Sequence, residues 1–319
     1  LAEILSKIMS RYEAQRNRIF KKYIKNINLL IDNKLLLSKK DNYICPMCLK
    51  NYESMYIDES NFLTLEDAPP KSLGGKANTL TCKKCNNEAG KKIDFHLAER
   101  MKELDNKLFL PNTEFKALTK IDGVTLRTTI SIDSEGKMSI FHSPKNNNPN
   151  ILNPIMEKVG KDKIIDFNFL KSKVIPENLE YAILKTAFLI LFQKTGYSLI
   201  IDKSYDLIRE QISNPSKRIY PENFWGYNTN KLKPGLYFVM NRGLECIMIV
   251  FDLISEKSKR SFTALLPLPN RDLEKVISNI NSTISTSKEI KLQMFDGNND
   301  DYIFNLDSIN KLLSWAYKK

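Results

Sequence analysis

The chain has 319 residues, 42% of them hydrophobic, and its 49 lysines and arginines against 37 aspartates and glutamates give a formal charge of +12. That is enough apolar material for a large core and for two or more domains, and the basic excess points to a polyanionic partner, nucleic acid ahead of an anionic membrane surface. No apolar run reaches the length of a membrane-spanning helix, since the strongest, Ala182 to Phe192, is short and carries Lys185.

Residues 1–41 open the chain as a basic helical segment. Leu1, Leu5, Ile8, Tyr12, Ile19, Tyr23, Ile27, Leu30 and Ile31 recur at near-helical spacing, with no Pro or Gly, predicting one amphipathic helix to about residue 37. Residues 1–40 hold ten lysines and arginines against Glu3, Glu13 and Asp32. Arg11, Arg16, Arg18 and Lys22 are candidate phosphate contacts. The same charges also suit a solvated face whose apolar stripe packs on the body or on a second copy.

Residues 42–106 carry two Cys-x-x-Cys pairs, Cys45/Cys48 and Cys82/Cys85. Two such knuckles a few dozen residues apart supply the four thiolates of a tetrahedral structural zinc site. Redox pairs or disulfides are the alternative, but a redox pair needs no matching copy and no secretory leader is visible. The fifth cysteine, Cys246, falls in an apolar strand-like run and is expected as a buried free thiol, which suits a reducing cytoplasm. Between the knuckles, Phe62–Leu65 reads as a strand delivering Glu66 and Asp67 into a Pro-Pro turn. A Gly74-Gly75 turn and a return strand at Asn78–Thr81 follow, then a helix from Cys85-Asn86-Asn87 through Gly90, Asp94 and His96. The expectation is a zinc-stapled ββα unit.

In the order and spacing of these parts, residues 42–105 resemble the HNH nucleases of the His-Me finger superfamily. Its zinc-bearing members show Cys-x-x-Cys, Asp-His-x-x-Pro, a Gly-Gly turn, an Asn, and a second Cys-x-x-Cys followed by His or Asn. The resemblance implies Glu66 and Asn86 as ligands of a catalytic Mg or Mn ion, with Asn87 as fallback for Asn86, and Asn78 as the middle Asn. Where the family has its general-base His, this chain has Asp67. A carboxyl with an ordinary pKa of about 3.9 is a weak proton acceptor at neutral pH. Either burial or a nearby acid raises it, or Asp67 is itself a ligand sharing the ion with Glu66. Of the chain's two histidines, His96 is the better candidate base, but it stands about 15 Å along the helix from Asn86, where packing under the zinc lobe is the alternative. His142 reads as an exposed strand-end histidine and Asp94 as a solvated helix carboxylate.

The resemblance further implies an endonuclease acting on phosphodiester bonds of DNA rather than RNA, cytoplasmic, in prokaryotic antiviral defence or restriction. Lys71 and Lys76 are added nucleic-acid contacts, and the first helix is a candidate seat for a second copy or a defence-complex subunit. The alternative is a finger made non-catalytic by Asp67, which binds nucleic acid or scaffolds a complex.

Residues 107–319 are expected as a mixed α+β C-terminal domain for recognition or partner binding, making the whole chain α+β. Alternation predicts strands at Phe115–Ile121, Val124–Ile132 and Lys137–His142, with turns at Ile121-Asp122-Gly123 and Asp133–Gly136 and a loop at Ser143–Pro149. Pro176–Gly196 is the most apolar helix, and a second spans about Ser204–Ile212. Strands are expected at Gly235–Val239, Cys246–Leu253, Arg260–Leu266, Glu289–Phe295 and Tyr302–Asn305, with helices at Asp272–Asn281 and Asp307–Tyr317. Arg209, Lys217, Arg218, Tyr220, Trp225, Tyr227 and Lys231 interleave bases with aromatics, as a nucleic-acid surface would or as core aromatics among scattered charges would.

Overall fold

A computed structural model describes residues 2–53, 62–121, 123–142, 145, 147–158, 165–287 and 291–318. The architecture is mixed α+β. Contacts divide it into two compact units, one of residues 1–98, 175–255 and 259–319, the other of residues 99–174 with 256–258.

Helix α1 (Ala2–Asp32) buries Ile19, Phe20, Tyr23, Ile27 and Leu30, the stripe that its 3.6-residue period lines up. It stops short of residue 37 because Lys34 adopts a left-handed conformation and the Leu35 amide donates back to the Leu30 carbonyl, a C-terminal closure. Leu1 lies outside the described residues, as do the side chains of Leu5 and Ile8.

Strands β1 (Tyr43–Ile44) and β2 (Asn51–Tyr52) pair across the first knuckle. Strands β3 (Leu63–Ala68) and β4 (Lys76–Cys82) form an antiparallel hairpin that leads directly into α2 (Lys83–Ala89). A π-helical turn at Gly90–Asp94 then joins α2 to α3 (Phe95–Asn106). Glu66 and Asp67 therefore sit inside β3 rather than in the turn after it. The register slips between them: Glu66 pairs with Thr79 and Asp67 with Ala77, leaving Asn78 as the extra residue of a bulge. The tight turn depends on Gly75, where a Cβ would lie 1.5 Å from the Pro69 carbonyl oxygen.

In the second unit, β5 (Thr113–Ile121), β6 (Val124–Ile132), β7 (Met138–His142) and, after the helix α4 (Pro149–Lys158), β8 (Asp166–Phe169) form an antiparallel sheet ordered β7-β6-β5-β8. Phe115, Ala117 and Ile130 form one core cluster, with Ile140, Phe167 and Phe169 packed on it. The helix α4 starts in the stretch expected as loop: the Asn148 side chain accepts from the Asn150 amide and Pro149 takes the first helical position. Asp122, Ser143, Pro144 and Asn146, parts of the expected turn and loop, lie outside the described residues.

The first unit resumes with α5 (Pro176–Thr195), α6 (Tyr197–Ile200) and α7 (Asp206–Ser213). Strands β9 (Trp225–Tyr227), β10 (Gly235–Val239), β11 (Cys246–Ile254) and β12 (Lys259–Leu266), the helix α8 (Leu273–Ser287), β13 (Met294–Asp296) and α9 (Leu306–Ala316) follow. The five strands make an antiparallel sheet ordered β13-β10-β11-β12-β9. The helix α5 is apolar nearly all round because it is covered on more than one side, by β10–β12 and by β3, β4 and the π-turn. Cys246 is buried on β11, as expected. Two expectations fail or fall outside. Tyr302–Asn305 is a turn rather than a strand, because the Asp301 carboxylate accepts from the Ile303 and Phe304 amides and the Asn305 side chain caps α9. Of Glu289–Phe295, residues 289–290 are not described and the strand begins at Met294.

An aromatic cluster binds the first helix to the knuckle and to α5. Tyr23 stacks on Phe192 at 4.3 Å and meets Tyr43 and Tyr197 edge-on. The buried hydroxyls find partners: Tyr43 donates to the Leu80 carbonyl at 2.6 Å and Tyr197 to the Ile44 carbonyl at 2.7 Å. Beside it, the buried Asn26 donates to the Ile303 carbonyl at 2.7 Å and accepts from the Tyr197 amide at 2.9 Å. Gly196 makes room for it, since a Cβ there would lie 2.3 Å from the Asn26 oxygen.

Phe192→Ala should cost about 3–5 kcal/mol in urea unfolding, because the ring is fully buried and leaves a cavity between two helices. Leu37→Ala, at a side chain that is 98% exposed, should stay within about 0.5 kcal/mol.

Candidate metal centre and acid site

The four cysteine sulfurs lie within 4.8 Å of one another, and the Cys48–Cys82 pair is 3.8 Å apart. A tetrahedron of thiolates with metal–sulfur bonds of about 2.3 Å has edges of about 3.8 Å, so the cluster could hold a structural metal ion such as zinc. The knuckle geometry follows from local bonds. The Cys45 amide donates to the Lys50 carbonyl at 2.9 Å, Leu49 turns left-handed, and the Cys82 amide points at the Cys45 sulfur at 3.3 Å. No two of these cysteines are joined in a disulfide. Among the described residues this is the one group of three or more His, Cys, Asp or Glu able to hold a metal.

Arg209 supports the first knuckle from outside. It is buried, with Nε donating to the Pro46 carbonyl at 2.9 Å and the guanidinium also bonded to Asp206 and to the Ile200 carbonyl. Arg209 and the buried Tyr220 are therefore structural, and the interleaved basic–aromatic run does not form one exposed surface.

Alternation along β3 sets Glu66 on the face opposite Leu65. There it meets a residue that sequence reasoning missed. Lys185, 2% exposed in the middle of α5, donates to Glu66 Oε1 at 2.7 Å and to Asp94 Oδ2 at 2.6 Å. The Thr81 hydroxyl donates to the other Glu66 oxygen at 2.8 Å. Asp94 is thus an ion-pair partner rather than a solvated carboxylate, and its Oδ1 is buried without a hydrogen-bond partner. Burial pushes the Glu66 carboxyl above its ordinary pKa while Lys185 opposes the shift. Burial likewise works against the Lys185 ammonium, but Glu66 and Asp94 outweigh it and hold its pKa above the ordinary lysine value. The sequence did carry a signal: one lysine within an apolar helix has to find a counter-charge.

The remaining candidate residues are spread around this core. Asp67 is half-buried, and burial raises its pKa, with Lys71 and Lys185 opposing and Asp94 adding. Asn86 donates to the Thr64 hydroxyl and the Leu65 carbonyl, both at 2.9 Å, so its amide nitrogen is directed at β3. Asn87 is exposed and lines a cavity of about 780 Å³ beside the cysteines, with Lys50, Lys83 and Lys84. Asn78 is exposed on the bulge. His96 is buried, its Nδ1 accepting from the Ile175 amide at 3.1 Å, and burial lowers its pKa. It lines an open cleft with Lys91, Lys92 and Arg218. Of the basic candidates, Arg11, Arg18, Lys71 and Lys76 are exposed. Arg16 is buried over the Tyr12 ring, and Lys22 is half-buried over Tyr23, its pKa lowered by burial.

Purified protein should contain about one zinc per four-thiolate cluster, and Cys85→Ser should lose most of it and be destabilised by several kcal/mol, on the order expected when a structural ligand is removed. Elemental analysis and thermal unfolding read both. For His96, the unfolded state takes up a proton near pH 6.5 while the folded state resists it to lower pH. Its contribution is therefore present above that value and lost as pH falls through the lowered folded pKa. His96→Gln should flatten that part of the stability profile.

Comparison with models of known families, with curated proteins and with solved structures gives no match to this chain. What its own residues show is a mixed α+β protein with a four-cysteine cluster that could hold a metal ion such as zinc.

Proposed function

We propose that the chain is an endonuclease of HNH type that hydrolyses phosphodiester bonds of DNA. The observation that carries this is the state of Asp67. On the bulged edge of a cysteine-stapled hairpin it is half-buried, and burial lifts its pKa, which makes it a better proton acceptor than an ordinary aspartate. In the proposed reaction, Asp67 takes a proton from the attacking water as its oxygen bonds to phosphorus, the P–O bond to the leaving strand breaks and the leaving oxygen takes a proton from solvent, while Lys71, whose charge is felt at Asp67, meets the phosphate. Arg11, Arg18 and Lys76 supply exposed positive charge for the nucleic-acid backbone. A setting in prokaryotic defence or restriction rests on the resemblance to the HNH family, and self-association through α1 rests on the amphipathic, basic pattern of that helix.

The divalent ion that the resemblance implies would use Glu66 and Asn86. Both Glu66 oxygens already accept hydrogen bonds, one of them from an ammonium, and the Asn86 amide nitrogen is committed to β3. As arranged, these residues do not fit a directly bound Mg or Mn ion, and no step of the proposed reaction passes through one. The same arrangement favours a second reading, in which the finger is non-catalytic and the chain binds nucleic acid or scaffolds a complex.

Plasmid cleavage by purified protein separates the two. Asp67→Ala should abolish cleavage and leave DNA binding intact, whereas Asp67→His should keep or raise activity. The wild-type rate should rise with pH as Asp67 ionises, with its midpoint above the usual aspartate range. DNA binding without cleavage at any pH, with or without added divalent ions, would leave the non-catalytic finger. Replacing Arg11, Arg18, Lys71 and Lys76 by Glu should weaken binding to DNA of any sequence and lower the salt slope by about 0.9 for each phosphate no longer neutralised.

A further inference from the structure

We infer that Lys185 is the built-in cation of this finger: its ammonium stands between Glu66 and Asp94 where a divalent ion would bridge them, and it keeps such ions out. Among the described residues the cysteine cluster is then the place for a metal, and Glu66 and Asp94 hold no divalent ion. This rests on the HNH reading, whose resemblance puts Glu66 where the family has its ion-binding acid.

Three features support it. The ammonium is within 2.7 Å of Glu66 and 2.6 Å of Asp94, and Thr81 donates to the remaining Glu66 oxygen, so the acids already have a counter-charge in contact. Lys185 cannot simply swing aside, because its neighbours Leu184, Thr186, Phe188 and Leu189 are buried and a displaced ammonium would lose both partners within an apolar core. The charges do not cancel either: two carboxylates face one ammonium, and Asp94 Oδ1 is buried with no hydrogen-bond donor. A site of that composition attracts positive charge once the lysine is removed. The two acids together hold Lys185 in its charged form, with a pKa above the ordinary lysine value despite its burial.

The test counts metal rather than cleavage, so it can fail while cleavage is observed, or hold where none is found. Zinc-loaded full-length protein is titrated with Mn²⁺ and bound ion is read by electron paramagnetic resonance and equilibrium dialysis. Wild type should bind no Mn²⁺ that depends on Glu66. Lys185→Met, which keeps the stem and removes the charge, should gain a Mn²⁺ site at least tenfold tighter than anything in wild type. Mn²⁺ should raise the melting temperature of this variant and not that of wild type, and adding Glu66→Gln should remove the gain. A Mn²⁺ site in wild type that Glu66→Gln abolishes would overturn the inference, as would a folded Lys185→Met that gains none. If Lys185→Met does not fold, the wild-type titration and its Glu66→Gln control decide the matter alone.

Discussion

One buried ammonium constrains how the finger is held. Lys185 lies in the interior of an apolar helix, and a charge in that position is tolerable only with its partners in place. The partners come from the β3 strand and from the last residue of the π-turn, so α5 fixes both the hairpin and the helical arm that follows it. A slip of α5 by one turn would bury an unpaired cation against two unpaired acids. The desolvation of three charges offsets much of their attraction, whereas removing any one of them would leave the others buried and uncompensated.

Around this point the chain uses polar groups at the ends of apolar bodies. Tyr23 of α1 and Tyr197 of α6 pack their rings against Phe192, Tyr43 of the knuckle meets those two tyrosines edge-on, and all three donate their hydroxyls to carbonyls of the finger. Arg209 does the same for the other side of the knuckle through the Pro46 carbonyl. The cysteine loops, which have little core of their own, are thereby held by side chains from α1, α6 and α7. A metal at the four sulfurs would close a site whose backbone is already braced.

Some of this was legible in the sequence because its signals are local. Cysteine spacing, the Gly-Gly turn, the apolar period of α1 and the all-round apolar character of α5 each need only a short window. The pairing of Lys185 with Glu66 and Asp94 was not legible, because nothing within reach of a helix or hairpin period links those positions. Arg16 looked like a phosphate contact by composition, yet its place on the α1 stripe buries it. Asp301 turned a strand-like run into a turn through its own side chain, a local competition that hydrophobic pattern does not register. Asp67 lay between these cases: the sequence named it, and only its surroundings raise its pKa.

Asn26 has a consequence for the order of events during synthesis. Its amide completes its hydrogen bonds with residues 171 and 277 positions further along the chain. When α1 and the cysteine hairpin leave the ribosome, neither Tyr197 nor Ile303 exists, and Lys185 is also missing from the acids it will pair with. Residues 99–174, by contrast, hold most of a compact unit in one continuous stretch. The sheet of residues 99–174 can therefore form before the finger is complete, and α1 waits, with Asn26 unpaired, until Ile303 has emerged.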